Sequence, residues 1–439
     1  MQRLRKEITG VRLVITVDNG ISGIEEIAFL KKRGIDTIVV DHHEPGETLP
    51  DALAMIVPFR AVGVAATHDL AACGLAWKLA QALFGSVDDV LDEMELAAIG
   101  TVADMAPLAG ENRLIVRFGL ERLSRTRLPG LAALLTKTKL AGKTIRAFHA
   151  AFMLAPRLNA VGRMGSALEA FRLLVTEESV EARNLADLLD EENRQRQKIE
   201  KEVCREAARE VERTHHFMKD HIIVVANPRW HEGVVGIVAT RLVDKYHRPA
   251  LVLCEKGETA KGSGRSLAGI DLFHLLERSS EHCLEFGGHA AACGFTLKTT
   301  EIEPFRRKIN DLARAEITPA DLAARLTIDL EAPLEAFNAG VLKDFVRMEP
   351  FGIRNPRPVF LTRRLRVKSE PRKSGWGGQS FWLENEAGTI TAEGVFSDAE
   401  LAGRVRKGAI LDVVHSPKEK SSNGLTTLEL SVKDLRAAG

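Results

Sequence analysis

The sequence is poor in the signals that would place it in several large classes. Its five cysteines, Cys73, Cys204, Cys254, Cys283 and Cys293, are scattered, with no C-x-x-C pair. That argues against a zinc knuckle and a disulfide framework, and fits a reducing cytoplasm. No apolar run reaches the ~20 residues that a membrane-spanning helix needs. The opening MQRLRKEITG lacks the apolar core of a signal peptide. The expectation is a cytoplasmic protein with no membrane partner. Charge of one sign is lacking too: 61 Lys and Arg against 60 Asp and Glu leave a net +1. Any nucleic-acid binding must therefore rest on local patches. No internal repeat or low-complexity tail is present. What remains is a chain of 439 residues, 45% hydrophobic and 28% charged, enough for two to four ordinary globular domains.

Acidic and imidazole groups are placed where ligands bind. Residues 13–17 and 37–40 are short and rich in Val and Ile, as expected of parallel strands covered on both faces. The first runs directly into Asp18, the second into Asp41, His42 and His43. A third segment, IGTVADMAPL, carries Asp104 and reads as a further strand end. In an open α/β sheet the ligand crevice lies outside the carboxyl ends of the strands, so these groups are expected to converge. Hard oxygen ligands mixed with one or two imidazoles suit Mn²⁺ or Mg²⁺ better than a soft-ligand metal. An Asp at a strand end is often only the N-cap of the next helix, and Asp18 or Asp104 alone fits that role. Asp-His-His after an apolar run is much harder to explain by capping.

The βαβ rhythm of a doubly wound domain runs through residues 1–173. Residues 74–83 and 91–99 read as helices feeding Asp104. Residues 166–226 hold no Gly or Pro, and Ile199, Val203, Ala207 and Val211 recur every four positions, one stripe of a helix. The expectation is a charged linking helix within 174–220. A second, smaller α/β domain is expected over 221–318, with HIIVVANP and PALVLCEKG as strands around the helix GVVGIVATRLVDKY. Short β segments from 325 to 437 suggest a small barrel.

Four further groups could carry chemistry. Residues 261–266, KGSGRS, are expected to form a glycine loop in which backbone N–H groups approach a phosphate closely, with Arg265 gripping it and Ser263 or Ser266 adding a hydroxyl. An ordinary turn with a solvated Arg is the plainer reading. Phe286-Gly-Gly-His289 offers a similar loop with a donor imidazole. Arg157, Asn159 and Arg163 in APRLNAVGRM fit a loop facing the crevice or a solvated helix start. In the last region Arg363, Arg364, Arg366, Lys368, Arg372 and Lys373 lie near Trp376, Phe381 and Trp382. Cations track a nucleic-acid backbone and aromatic faces stack bases; a charged edge strand is the alternative.

DNGIS, VVDHHEPGETLPDA, GTVADMAPL, APRLNAVGRM, GSGRS, FGGHAAACG and MEPFGIRNPRPVF, in this order, resemble the RecJ-type single-stranded-DNA-specific exonucleases among the DHH phosphoesterases. The likeness spans nearly the whole chain. It implies a DHH domain, a linking helix, a DHHA1 domain and an OB-fold, with Mn²⁺- or Mg²⁺-dependent 5′ to 3′ hydrolysis of single-stranded DNA. Carried over by motif, Asp18, His42 and Asp104 would be metal ligands, Asp41 would support the site, and His43 would touch the scissile phosphate. Ser263, Arg265, Ser266 and His289 would meet the 5′-phosphate. Arg157, Asn159, Arg163, Arg364, Arg366, Trp376 and Trp382 would contact DNA. A helicase and a single-strand-binding protein are the partners such nucleases commonly have.

One departure carries weight. The family's earlier Asp-x-Asp-x-x-Gly motif, which supplies further metal ligands, has no counterpart in residues 1–12. A two-metal nuclease needs ions ~4 Å apart, and two carboxylates with one imidazole do not hold two. The expectation is at most one well-bound metal, weak or absent nuclease activity, and uncovered apolar sheet surface. The alternatives are a phosphodiesterase for short oligonucleotides or a cyclic dinucleotide, and a non-enzymatic nucleic-acid-binding module.

Overall fold

The structure is a computed structural model that describes residues 10–58, 69–164, 167–373, 378–396, 399–422 and 425–438. Two compact units emerge. One combines Met1–Arg127, Gly142–Phe152 and Leu326–Gly439; the other combines Leu128–Ala141 with Met153–Arg325.

Strand β1 (Leu13–Val17) pairs in parallel with β2 (Asp36–Val40), and β3 (Ala54–Ile56) adds in parallel beyond β2. Helix α1 (Ile24–Lys31) makes the first crossover. Val39 and Val40 are fully buried, as the apolar run required. β1 stands at the edge of this sheet, and its Leu13, Ile15 and Val17 are 45%, 44% and 41% exposed. Apolar side chains of that kind normally lie covered in a parallel sheet. Helices α2 (Ala72–Phe84), α3 (Met94–Ala103) and α4 (Gly110–Leu123) follow. α3 and α4 pack so closely that a Cβ on Gly119 would lie 2.5 Å from Ala98 Cβ.

Asp104 is the C-cap of α3 and does not end a strand. The helix read over 91–99 runs four residues further, to Ala103, so no strand intervenes before Asp104; six of its ten residues are buried.

The second unit begins with α5 (Pro129–Lys137). Residues 155–164, read as either a crevice-facing loop or a solvated helix start, form α6 (Ala155–Met164). Pro156 follows a π-helical turn (Ala150–Leu154), where the regular helical hydrogen-bond ladder is already interrupted, and Ala155, Ala160 and Val161 are buried. After α7 (Leu168–Val175) comes α8 (Ser179–Thr214), 36 residues long. Its first half buries Leu185 and Leu189 against Val161 and Leu173. Its second half buries Val203, Ala207 and Val211 in a separate core. That core includes β4 (Ile223–Asn227), α9 (Glu232–Tyr246) and β5 (Ala250–Lys256).

The two glycine-rich segments, expected as loops, are strands. β6 (Thr259–Arg265) is followed by α10 (Leu272–Glu277), β7 (Cys283–His289), β8 (Ala292–Lys298) and α11 (Ile302–Glu316). The sheet order is β4-β5-β6-β8-β7. Glycine here answers to packing: a Cβ on Gly262 would lie 2.3 Å from the Phe295 ring, and one on Gly264 2.5 Å from Cys293 Sγ.

The C-terminal domain contains β9 (Leu330–Glu331), α12 (Ala339–Met348), β10 (Phe360–Val367), β11 (Arg372–Lys373), β12 (Gln379–Glu384), β13 (Thr391–Phe396), β14 (Ile410–Ser422) and β15 (Leu425–Ala437). β10 pairs with both β12 and β14, closing a ring β10-β12-β13-β15-β14. β13 and β15 run parallel and the other ring contacts are antiparallel. This is the five-stranded barrel of an OB-fold, filled by Phe381, Leu383, Val413 and Leu430.

Candidate functional site

Asp18 follows β1 with φ +64. Asp is among the few residues that tolerate the left-handed region. Its N–H still donates to Val40 O at 3.0 Å, so the turn is tied to the adjacent strand. At the end of β2, Asp41 is 1% exposed. Its Oδ2 accepts from Ile21 N at 3.1 Å; its Oδ1 accepts from His42 N at 2.8 Å, His43 N at 3.3 Å and the His43 ring Nδ1 at 2.7 Å. Burial pushes the Asp41 pKa up, but the hydrogen bonds from Ile21 and His43 outweigh it and hold it below the usual carboxylate value. Asp41 is therefore a fixed anion. It orients the His43 ring through Nδ1.

His42 lies between two carboxylates. Its Nε2 is 3.2 Å from Asp18 Oδ1 and its Nδ1 is 3.6 Å from Asp104 Oδ2. Burial and the nearby Asp18 raise the Asp104 pKa, opposed by His42 and His43. Asp18, His42 and His43 each offer a ligand atom within 4.8 Å of the others. Each ring nitrogen of His42 thus faces a carboxylate oxygen, a grouping that a divalent cation would draw together. Two carboxylate oxygens and imidazole nitrogens form a donor set that fits Mn²⁺ or Mg²⁺.

Asp104 is held by its own turn. Ala106 N donates to Thr101 O and Met105 N to Val102 O, each at 3.2 Å. This is a Schellman C-cap, with Met105 at φ +58 in the position usually given to glycine.

In the second unit, side-chain alternation separates two jobs. Gly262 and Gly264 face the core; Ser263 and Arg265 lie on the opposite face of β6. Across the sheet, Ser263 pairs with Gly294, and Gly294 with Gly287; Arg265 pairs with Ala292, and Ala292 with His289. A Cβ at Gly287 or Gly294 would meet nothing within 4 Å. The result is a shelf of small residues bordered by Ser263, Arg265 and His289. Arg265 Nη1 donates to Ser263 Oγ at 3.1 Å and to Gly264 O at 2.7 Å. Gly236 of α9 overlooks the pair: its Cβ would lie 3.0 Å from Ser263 Oγ. The sequence reading missed Gly236, Gly287 and Gly294. The alternation of FGGHAAACG was the available signal, but only the register discloses which residues share a face. Ser266 is turned to a local role, its Oγ donating to Ile270 O at 2.8 Å.

The expected DNA contacts fare unequally. Arg157 directs Nε and Nη2 to buried Asp190 at 2.9 and 2.8 Å, and Nη1 to Met153 O at 2.6 Å, so it locks α6 to α8. Asn159 is exposed on α6. The Arg163 side chain and Trp376 lie outside the described residues. Arg364 pairs with Glu386, and Arg366 lies 4.0 Å from Glu384. The Arg364 pair is solvent-exposed on both sides and therefore weak; at 4.0 Å the Arg366 pair is long. Trp382 points outward from β12 and is 38% exposed.

These features agree with what the chain resembles. It matches the DHH family N-terminal domain over residues 2–101, the DHHA1 domain over 219–315 and the RecJ OB domain over 328–434. It is 39% identical over 433 residues to the single-stranded-DNA-specific exonuclease RecJ of Bacillus subtilis, covering 97% of this chain and 54% of that protein. With RecJ of Thermus thermophilus it is 32% identical, covering 99% of this chain and 62% of the relative. The chain thus spans about half to two thirds of the length of these relatives. The crystal structure of the Thermus thermophilus protein in complex with Mn²⁺ superposes with a TM-score of 0.84 at 30% identity, covering 100% of this chain and 64% of that one. A manganese-bound exonuclease RecJ structure, 33% identical, covers 73% of this chain; 82% of that chain is matched, with a TM-score of 0.60. With three domain matches in one order, this chain belongs to the RecJ family of DHH phosphoesterases.

Proposed function

We propose that this chain is a Mn²⁺- or Mg²⁺-dependent exonuclease that hydrolyses single-stranded DNA from its 5′ end. The observation that carries the reading is His42, addressed by Asp18 on one ring nitrogen and by Asp104 on the other, beside a His43 oriented by buried Asp41. The named relatives act on single-stranded DNA, and their structures were solved with Mn²⁺ and Mg²⁺.

Asp18, His42 and Asp104 would hold the ion. Bound there, a divalent cation polarises a phosphoryl oxygen and lowers the pKa of a coordinated water. The chain's own residues do the rest. Asp41 stays ionised and orients the His43 ring. His43 contacts a phosphate oxygen or passes a proton. Ser263, Arg265 and His289 border a shelf suited to a terminal phosphate, with Arg265 supplying the fork that phosphate geometry favours. Trp382 offers a face for base stacking on the barrel. A helicase and a single-strand-binding protein are the partners this reading calls for. The cytoplasm is the compartment, supported by five unpaired cysteines. Among the described residues no helix is long and apolar enough to cross a membrane.

The test is release of mononucleotides from a 5′-phosphorylated single-stranded oligonucleotide with Mn²⁺, beside Asp104→Ala. Release that vanishes in the variant supports the reading. No release from the parent chain, with salt-sensitive DNA binding retained, overturns the enzymatic part and leaves a binding module.

A further inference from the structure

The segment MEPFGIRNPRPVF belongs to the barrel domain, yet it reaches the loop that carries Asp104. Its tip is a two-residue hairpin. Gly352 N donates to Asn355 O at 2.9 Å, and Asn355 N to Gly352 O at 3.1 Å. Asn355 Nδ2 pins the base to Met348 O at 3.0 Å and Pro350 O at 2.7 Å. The tip carbonyl, Ile353 O, accepts from Leu108 N at 2.7 Å. Gly352 rests on the Leu108 side chain: an added Cβ would lie 2.7 Å from Cδ1 and 3.1 Å from Cγ, but 3.9 Å from Cβ.

Other contacts hold the segment in place. Arg113 Nη2 donates to Met348 O at 2.8 Å, Arg354 pairs with Asp69 at 2.9 Å, and Glu349 meets Arg146 at 3.3 Å and Arg357 at 3.5 Å. Leu108 is 3% exposed. Between it and Asp104 stands the strained turn at Met105.

We propose that the barrel hairpin is a positioning element for the metal centre: Gly352 and Ile353 fix Leu108, and through the five-residue loop 104–108 they set where the Asp104 carboxylate points. The Schellman turn holds one end of that loop and the hairpin holds the other. Asp104 is half-exposed, and among the described residues His42 is the side chain that faces its carboxylate, so its direction is inherited from the backbone. Groups that orient metal ligands from behind influence affinity nearly as strongly as the ligands do. The metal-site assignment in this proposal rests on the function proposed above.

The experiment compares the parent chain with Gly352→Ala, Leu108→Ala and the double variant. Mn²⁺ is titrated by calorimetry, and amide exchange is followed at residues 105–108. Gly352→Ala should weaken Mn²⁺ about tenfold and speed exchange at Leu108. The double variant should recover both, because Leu108→Ala keeps only the Cβ that the new methyl clears. Mn²⁺ affinity in Gly352→Ala within about twofold of the parent, or no recovery in the double variant, overturns the proposal. If Asp104→Ala leaves Mn²⁺ binding by the parent unchanged, the metal assignment fails instead. Exchange at 105–108 then decides alone: faster in Gly352→Ala and restored in the double variant supports the hairpin's role, and unchanged exchange overturns it.

Discussion

Replacing Asp41 by Asn tests the site with the least change of shape. The carboxylate is buried and accepts at both oxygens: Ile21 N on Oδ2, and His42 N, His43 N and His43 Nδ1 on Oδ1. An amide has one acceptor oxygen. If that oxygen serves the three donors, the NH₂ group faces Ile21 N–H and leaves a buried donor unpaired, at about 1–3 kcal/mol. The remaining bonds also lose their charge assistance, which roughly halves each of them. A total loss of about 2–4 kcal/mol follows, a large part of the 5–15 kcal/mol of a typical domain. Urea unfolding at pH 7.5 measures it. The lowered pKa sets the pH dependence: this stability is present above the usual Asp value and fades as pH falls through the lower folded value. For the reaction, Asn no longer orients the His43 ring through a charged bond at Nδ1, and mononucleotide release should drop about 10²–10³-fold, within the range for a general acid–base group. Because Asp41 acts through His43, the same substitution made on a His43→Ala background should add little. An equal loss with and without His43 would refute the reasoning, as would an Asp41→Asn chain of parental stability.

Met105→Gly should stabilise the chain by about 0.5–1 kcal/mol, because glycine relieves the left-handed strain but frees the unfolded chain; urea midpoints check it. His215 and His415 are buried, and burial lowers both pKa values to about 4. Unfolded histidines bind protons near 6.5, so this stability is complete above 6.5 and is lost as pH falls towards 4. Each histidine should remove about 2 kcal/mol at pH 5, and the His215→Phe, His415→Phe double variant should flatten that slope. Gly262→Ala should destabilise by about 1–3 kcal/mol through overlap with Phe295. Gly287→Ala, which meets nothing, should stay within about 0.5 kcal/mol yet reduce the preference for a 5′-phosphate over a 5′-hydroxyl in oligonucleotide binding.

Much of the architecture was legible because it rests on runs and periods. β1 and β2 announce themselves as Val- and Ile-rich segments that end in Asp18 and Asp41, and the stripe Ile199, Val203, Ala207, Val211 announces α8. Asp104 was found as a residue but assigned to a strand end, although the helix read over 91–99 runs on to Ala103 and ends at Asp104 itself. The glycines of β6 were given to phosphate when Gly262 and Gly264 make room for Phe295 and Cys293; which neighbour a glycine admits is a property of register. The cations of β10 were legible as charges but their partners were not: Glu384 and Glu386 lie opposite Arg366 and Arg364, and pairing at that sequence distance leaves no local sign. Nor does one strand disclose that Leu108 meets a hairpin more than two hundred residues later.

The 36-residue α8 is about 54 Å long at 1.5 Å per residue. Leu185 and Leu189 belong to one core and Val203, Ala207 and Val211 to another. Both cores thus draw on one continuous helix, and because propagating a helix is easier than nucleating it, each core's share supports the formation of the other's. The two should therefore melt as a single cooperative block, with the slowest amide exchange of the second unit running unbroken from Leu185 to Val211. A nick anywhere along that stretch would uncouple two folding units that the sequence binds with one helix.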